Sequence, residues 1–407
     1  MSDLLGFATI MLVFICTLLI AKKWPDVSKI IFTALAFRIF ILLLGHYFVT
    51  LPDSTRDAVG FEWGAWNRGK DGFFNVLNNF PGINMYFYQW MIAIPYSLFG
   101  RSVLMMQSIG LFFGVGSVLL GWLVAKKLWD DHTALKVGWT LALFPTLALY
   151  SILPLREVYA SFFLLVAILG VVNWVRDESY KSIGLAMFGF LGGTCFHGGI
   201  FFGGFIFSMF IVLNSLIKIS KLFIVFRTSP KNILIISTVS FLLFFYFSNK
   251  IYIPKLGYFK DVVDIPRLRL EVGGRLIGDA SYPEWLKVEK PTEVVYKSFV
   301  RVAYFLFSPF PWDIKKPTHL IGVFDSFLYM TLVYLIFRNR KVIWEEPTLR
   351  AIFIILAFYL FIFGFGVSNF GAGTRHRSKF VIEMIILAGP LIPTFIFSKK
   401  KKNKEIP

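Results

Sequence analysis

The sequence predicts an all-α, polytopic membrane protein with about eleven transmembrane helices, built as one integral domain over residues 1–407. Three observations lead there. Hydrophobic residues fill 57% of the chain and charged ones only 16%, with 48 Phe among them. Mean hydropathy is +0.68, too high for a soluble domain of this length. Lysine and arginine collect in alternate gaps between the apolar runs, as the positive-inside rule expects.

The apolar runs lie near 4–21, 30–50, 103–125, 134–152, 158–175, 183–196, 199–213, 233–248, 319–337, 351–368 and 380–397. The first has neither a basic start nor a small-residue cleavage site, so it reads as a retained helix. The pair across 183–213 is long for one upright span and short for two. Gly192-Gly193 and Gly198-Gly199 around His197 offer the turn. Two long gaps, about 51–102 and 249–318, each hold a half-apolar stretch, 84–99 and 299–312. Neither stretch is long enough to cross, and both read as interfacial or re-entrant helices.

Orientation follows from the charges. Lys22, Lys23, Lys126, Lys127, Arg176, Lys181, Arg338, Arg340 and Lys341 fall on one side if the spans alternate. Lys218, Lys221, Arg227, Lys231 and the basic tail at 398–407 join them. That side is the cytoplasm, which sets the N-terminus outside and the C-terminus inside. The net charge of +18 is thus a topology signal and does not call for nucleic acid. Cys16 and Cys195 lie in apolar runs and offer neither a disulfide framework nor a metal spacing. No metal ligand set is expected.

Several constellations fall on the opposite, outer face. Asp53 and Asp57 sit four apart in the first long gap. On a helix they would share a face, take a proton from an attacking hydroxyl, hold a divalent cation, or merely cap a helix. Arg156 and Glu157 open the fifth span, as a phosphate grip or as an adjacent ion pair. His197 lies among glycines, as a base at a cavity floor or as a polar helix contact. Arg267, Arg269 and Arg275 fill the second long gap, as a cover for an anionic headgroup or as a solvated loop. The densest cationic knot is Arg375-His376-Arg377. Two guanidiniums there can clamp a diphosphate and stabilise its departure. Arg38 and Asp325 lie inside apolar runs and should face the bundle interior.

Several short motifs occur in order: Asp57-Ala58 with Phe61-Glu62 and Ala65, then Tyr96 to Gly100, then Leu155-Arg156-Glu157 after a proline. Ser308-Pro309-Phe310-Pro311-Trp312 and Gly373-Thr374-Arg375-His376-Arg377 follow. Together, from about residue 50 to 390, they resemble GT-C-like membrane glycosyltransferases of bacterial surface-polysaccharide clusters, above all Wzy-type O-antigen or exopolysaccharide polymerases. The resemblance implies a carboxylate base, Asp57 or Asp53, and arginines, Arg156, Arg375 and Arg377, on undecaprenyl diphosphate. It implies work in the inner membrane, at its periplasmic face, on a lipid-linked oligosaccharide, without a cofactor. A chain-length regulator would be the protein partner. One rival reading is a metal-assisted transferase using undecaprenyl-phosphate sugar. Another is a flippase for the same lipids, which would string charges along a midplane path.

The orientation has a direct check. Ser54→Cys is expected to react with an impermeant thiol reagent in intact spheroplasts, and Ser398→Cys is not. Labelling at 398 but not at 54 would reverse the arrangement.

Overall fold

The computed structural model describes residues 2–225, 252–253, 257–258, 279–288, 293–316 and 319–394. Within them the chain is helical, apart from a two-residue antiparallel pairing of Tyr252–Ile253 with Gly257–Tyr258 and a bridge between Ser281 and Asn369. The helices up to the first long gap are α1 (Ser2–Lys23) and α2 (Ser28–Tyr47), and the gap itself holds α3 (Asp57–Gly69), α4 (Phe73–Asn78) and α5 (Phe87–Phe99). Next come α6 (Val103–Leu128), α7 (Asp131–Leu143), α8 (Pro145–Tyr150), α9 (Glu157–Asp177), α10 (Tyr180–Phe196) and α11 (Phe201–Val225). The last part holds α12 (Glu293–Phe307), α13 (His319–Arg338), α14 (Arg340–Glu345), α15 (Pro347–Gly366), α16 (Phe370–Arg377) and α17 (Val381–Ala388).

Seven of these, α1, α2, α6, α9, α11, α13 and α15, are long and apolar enough to cross a membrane. The chain is a multi-pass membrane protein. Three other expected spans take a different form. The run at 134–152 is broken between α7 and α8, because Pro145 has no N–H to continue the ladder. The run at 183–196 is the 17-residue α10. The run at 380–397 begins with the eight-residue α17 and a turn at Gly389–Leu391. The expected span at 233–248 lies outside the described residues. The two half-apolar stretches do form short helices, α5 and α12.

The turn between α10 and α11 falls at His197 and Gly198–Ile200. Gly192 and Gly193 lie inside α10 instead of in the turn. They serve packing: a Cβ on Gly192 would come within 2.4 Å of Phe163, and one on Gly193 within 2.7 Å of Ile200. The same device joins α9 to α10, where a Cβ on Gly170 or Gly189 would strike the facing backbone at Ala186 or Ala167. Small residues here let two helices approach closely.

The helices run between two poles. Ser102 Oγ donates to Ser2 O at 2.6 Å, and Tyr47 Oη to Asp3 Oδ2 at 3.1 Å, which brings the starts of α1 and α6 and the end of α2 together. At the other pole Arg176 donates to Lys127 O. Trp129 Nε1 reaches Ile386 O at 2.9 Å, and Asn339 Nδ2 reaches Leu387 O at 3.0 Å. Lys22, Lys23, Lys126, Lys127, Arg338 and Arg340 all belong to this second pole, so the basic residues gather at one end of the bundle as the sequence pattern requires.

Three arginines are buried where helices end. Pro145 leaves the Leu141 carbonyl without its helical donor, and Arg38 from α2 supplies one at 3.3 Å, with a second bond to Ala142 O at 2.8 Å. Pro309 does the same to Phe305 O at the end of α12. Arg377 reaches that oxygen at 3.4 Å, and Leu306 O and Ser308 O at 2.8 Å each. Arg301 takes Phe365 O and Val367 O at the end of α15, at 3.1 and 2.7 Å, and ties Leu286 O to them at 2.8 Å. Arg38 and Asp325, both expected in the interior, are buried but do not pair. Asp325 holds Arg377 at 2.6 Å and accepts from Thr146 Oγ1 at 2.8 Å.

Asp325→Ala should strand Arg377 as an uncompensated buried charge, at a cost of about 3–5 kcal/mol. The thermal unfolding midpoint of the purified protein should fall sharply. Arg377→Lys should fall nearly as far, because one ammonium cannot span three carbonyls and a carboxylate. A midpoint for Asp325→Ala equal to that of the wild type would show that the pair supports nothing.

Candidate functional site

The site grows from α16. Asn369 caps it, its Oδ1 accepting from Ala372 N at 2.7 Å. At about 100° per residue, Arg375 and Arg377 point to opposite sides of such a helix. The expected clamp of two guanidiniums is therefore not formed. Arg377 is 0% exposed, lies over the Tyr329 ring at 4.6 Å, and is committed to Asp325 and to the α12 carbonyls. It has no face left for a ligand.

Arg375 turns the other way. Its Nη1 lies 2.5 Å from Asp57 Oδ2 and its Nε 3.3 Å from Glu157 Oε1. The same Glu157 oxygen takes Lys379 Nζ at 3.3 Å, and that ammonium lies 2.9 Å from His376 Nδ1. Glu157 and Lys379 are fully enclosed, so one buried carboxylate is shared by two cations. Burial pulls the Arg375 pKa down, but attraction to Glu157 and the bond to Asp57 outweigh it and carry it above its ordinary value. Burial presses the Lys379 ammonium down to about 7, against the pull of Glu157.

Arg156 stands beside this cluster and differs from every other buried arginine in the bundle. It is only 5% exposed, and although Arg38 and Arg375 also have a buried Nε with no partner, those two bond through their terminal nitrogens. Its guanidinium makes no hydrogen bond among the described residues and lies over the Phe61 ring at 5.5 Å, in the field of Glu157 and Asp57. Burial lowers its pKa, with Glu157 pulling the other way and Arg375 pushing in the same direction. A cation this enclosed that spends no donor on the described protein acceptors can receive an anion at its guanidinium.

The acidic loop differs from its expected shape. Asp53 and Arg56 adopt positive φ, 59° and 43°, so the chain is not helical there and α3 starts only at Asp57. The two carboxylates do not share a face. Asp57 is exposed and bonded to Arg375, whereas Asp53 accepts from Tyr150 Oη at 2.6 Å. Asp53 is open to water yet surrounded by protein, as a group on a cleft wall would be. Burial raises its pKa, and the Tyr150 bond and Arg375 only partly offset this. Behind the loop, Glu62 fastens α3 to the start of α6. It takes Arg101 at 2.7 and 2.9 Å and the Tyr96 hydroxyl at 3.1 Å.

His197 caps the short turn before α11 with Nδ1, 3.3 Å from Gly199 N, and its ring packs on Phe363 and His376 at 4.9 and 5.1 Å. It joins the cluster through His376. Arg267, Arg269 and Arg275 lie outside the described residues. Lys379 closes the cationic stretch 373–379 but its pairing with Glu157 is not read from the sequence, nor are Tyr150, Arg301 and the Glu62–Arg101 pair. Lys379 stands four residues after Arg375, a spacing that was readable, while Tyr150 sits in an apolar run with nothing to mark it.

No protein-family model matches this chain, and neither a curated protein nor a solved structure is similar to it.

Proposed function

We propose that this chain is a glycosyltransferase of the bacterial inner membrane that polymerises repeat units carried on undecaprenyl diphosphate. In this reading it has about eleven spans in a GT-C-like arrangement, N-terminus out and C-terminus in, with the site at the outer face. The observation that carries the reading is Arg156 beside Arg375, a buried arginine that makes no hydrogen bond among the described residues. That pair replaces the Arg375–Arg377 clamp expected from sequence. Two adjacent guanidiniums suit a diphosphate, whose charge grows as it leaves.

The reaction needs a base across the anomeric carbon from the leaving group. Asp57 touches Arg375 and so stands on the leaving-group side. It acts as a stand-in anion that the diphosphate displaces. Asp53, bonded to Tyr150 and not to a cation, is the better base, which reverses the order suggested by sequence. An acceptor hydroxyl attacks the anomeric carbon and gives its proton to Asp53. The bond from that carbon to the diphosphate oxygen breaks, and its electron pair stays on the diphosphate between Arg156 and Arg375. Glu157, fixed by Lys379, holds Arg375 in line.

Arg156→Ala and Arg375→Lys should each weaken binding of a polyprenyl diphosphate by roughly ten- to a hundred-fold, since charge-assisted bonds are worth about 1.5–3 kcal/mol each. Surface glycan should shorten to single repeat units. Loss of one sugar from every unit instead would point to a single-sugar transferase, and unchanged polymer in both variants would sink the reading.

Asp53→Asn should lower turnover about 10²–10⁴-fold. The base works ionised, and the Asp53 pKa is raised. Activity should therefore rise with pH through a midpoint above the usual aspartate range, and that acid limb should vanish in Asp53→Asn. A limb that persists in the variant would assign the base elsewhere.

A further inference from the structure

A second concavity adjoins the acidic loop and no step above uses it. It is a cleft of about 640 Å³ between the end of α2, the loop at 50–58 and the first turns of α6. Its size falls within the roughly 300–1,000 Å³ typical of small-molecule sites. Ser54, Thr55 and Ala58 line it, so the strand of chain that carries Asp53 and Asp57 is one of its walls. Leu153 and Pro154 form another wall, and Arg156 follows two residues later. The cleft thus meets the anion site across a single turn of backbone on each side.

Its chemistry is mixed. His46 Nδ1 and Gln107 Oε1 lie 3.0 Å apart, and both residues line the cleft. Gln107 is 6% exposed, and its amide nitrogen makes no hydrogen bond among the described residues but is not sealed from solvent. An amide end open to water in a cleft can serve a ligand hydroxyl in the water's place. Glu62 also lines the cleft, held rigid by Arg101. At the rim Tyr47 and Phe48 are 46% and 79% exposed, large rings offered to whatever enters.

We infer that this cleft binds the acceptor glycan, and the inference rests on the sugar-transfer reading above. Polyols are recognised by planar polar side chains for their hydroxyls and by aromatic faces for their C–H surfaces. The cleft supplies both. An alkyl tail would instead cover the amide nitrogen of Gln107 and offer it nothing in place of water. The location fits as well. A sugar lying here is next to the loop that carries Asp53 and Asp57.

The test uses the full-length protein in lipid nanodiscs and two soluble probes. One is the lipid-free repeat-unit oligosaccharide released by mild acid from the host strain's surface glycan. The other is farnesyl diphosphate. Gln107→Ala and Phe48→Ala should each weaken oligosaccharide binding by roughly ten-fold, the loss of about one good contact, and leave farnesyl diphosphate binding unchanged. Phe48 is a surface side chain, so its variant folds even if Gln107→Ala does not. Arg375→Lys should give the opposite pattern. If neither cleft variant changes oligosaccharide affinity, the inference fails. If both weaken farnesyl diphosphate binding instead, the cleft is a groove for the lipid tail. If the cleft variants lose oligosaccharide binding while Arg375→Lys binds farnesyl diphosphate normally, the cleft stands and the diphosphate reading falls.

Discussion

A backbone carbonyl that loses its helical donor inside a membrane bundle must find another, and in this protein arginine provides it. Arg38 answers Pro145, Arg377 answers Pro309, and Arg301 gathers the end of α15. Each guanidinium spans carbonyls that no single backbone N–H could reach together. The breaks are therefore stable features of the bundle. They let α7 and α12 stop inside the bundle, with the chain going on in the short helix α8 after the first and a turn at Pro311–Asp313 after the second. Everything in the candidate site hangs from these stops. Arg377 in particular locks α16 against α12 and α13, and so fixes where Arg375 points.

The contrast between Arg375 and Arg377 shows how one short motif divides two roles. The residues are two apart, and the helix sends them to opposite sides. One side meets a carboxylate and three carbonyls in the interior. The other meets Asp57 at the surface and Glu157 at depth. Sequence alone makes the pair look like one clamp, because guanidiniums two apart converge on a ligand if the chain is extended. Only the eight-residue α16 decides against it.

Much of the fold was legible because hydropathy and charge asymmetry are direct imprints of the bilayer. The seven long helices, the gathering of Lys22 to Lys341 at one pole and the short helices α5 and α12 all follow from them. The break at Pro145 was not read, since an apolar run keeps its hydropathy whether or not the ladder is continuous. Gly192 and Gly193 were read as a turn because glycine serves both turns and close packing, and only the facing Phe163 and Ile200 tell which. The spacing of Asp53 and Asp57 puts them on one face only if the segment is helical, and spacing carries no φ. The positive φ at Asp53 and Arg56 undoes that face. Arg156, Glu157 and Arg375 were legible as a group, since ionisable residues at the ends of apolar runs are few and must find partners.

The energetic pattern separates support from function. Arg38, Arg301 and Arg377 spend most of their donors on protein acceptors, as a buried charge should. Arg156 does not, although Glu157 Oε2 nearby also lacks a hydrogen-bond partner. Leaving a buried donor unmatched costs about 1–3 kcal/mol. That cost falls beside a loop with two residues at positive φ and a lysine whose charge is pressed down by burial. Arg38 too has a buried Nε without a partner, but its terminal nitrogens go to three carbonyls, whereas those of Arg156 go to none among the described residues. A fold that satisfies Pro145 and Pro309 so completely has the means to satisfy Arg156 too. That it leaves Arg156 open next to Arg375 is the strongest physical argument that this corner is shaped by a ligand and not by packing.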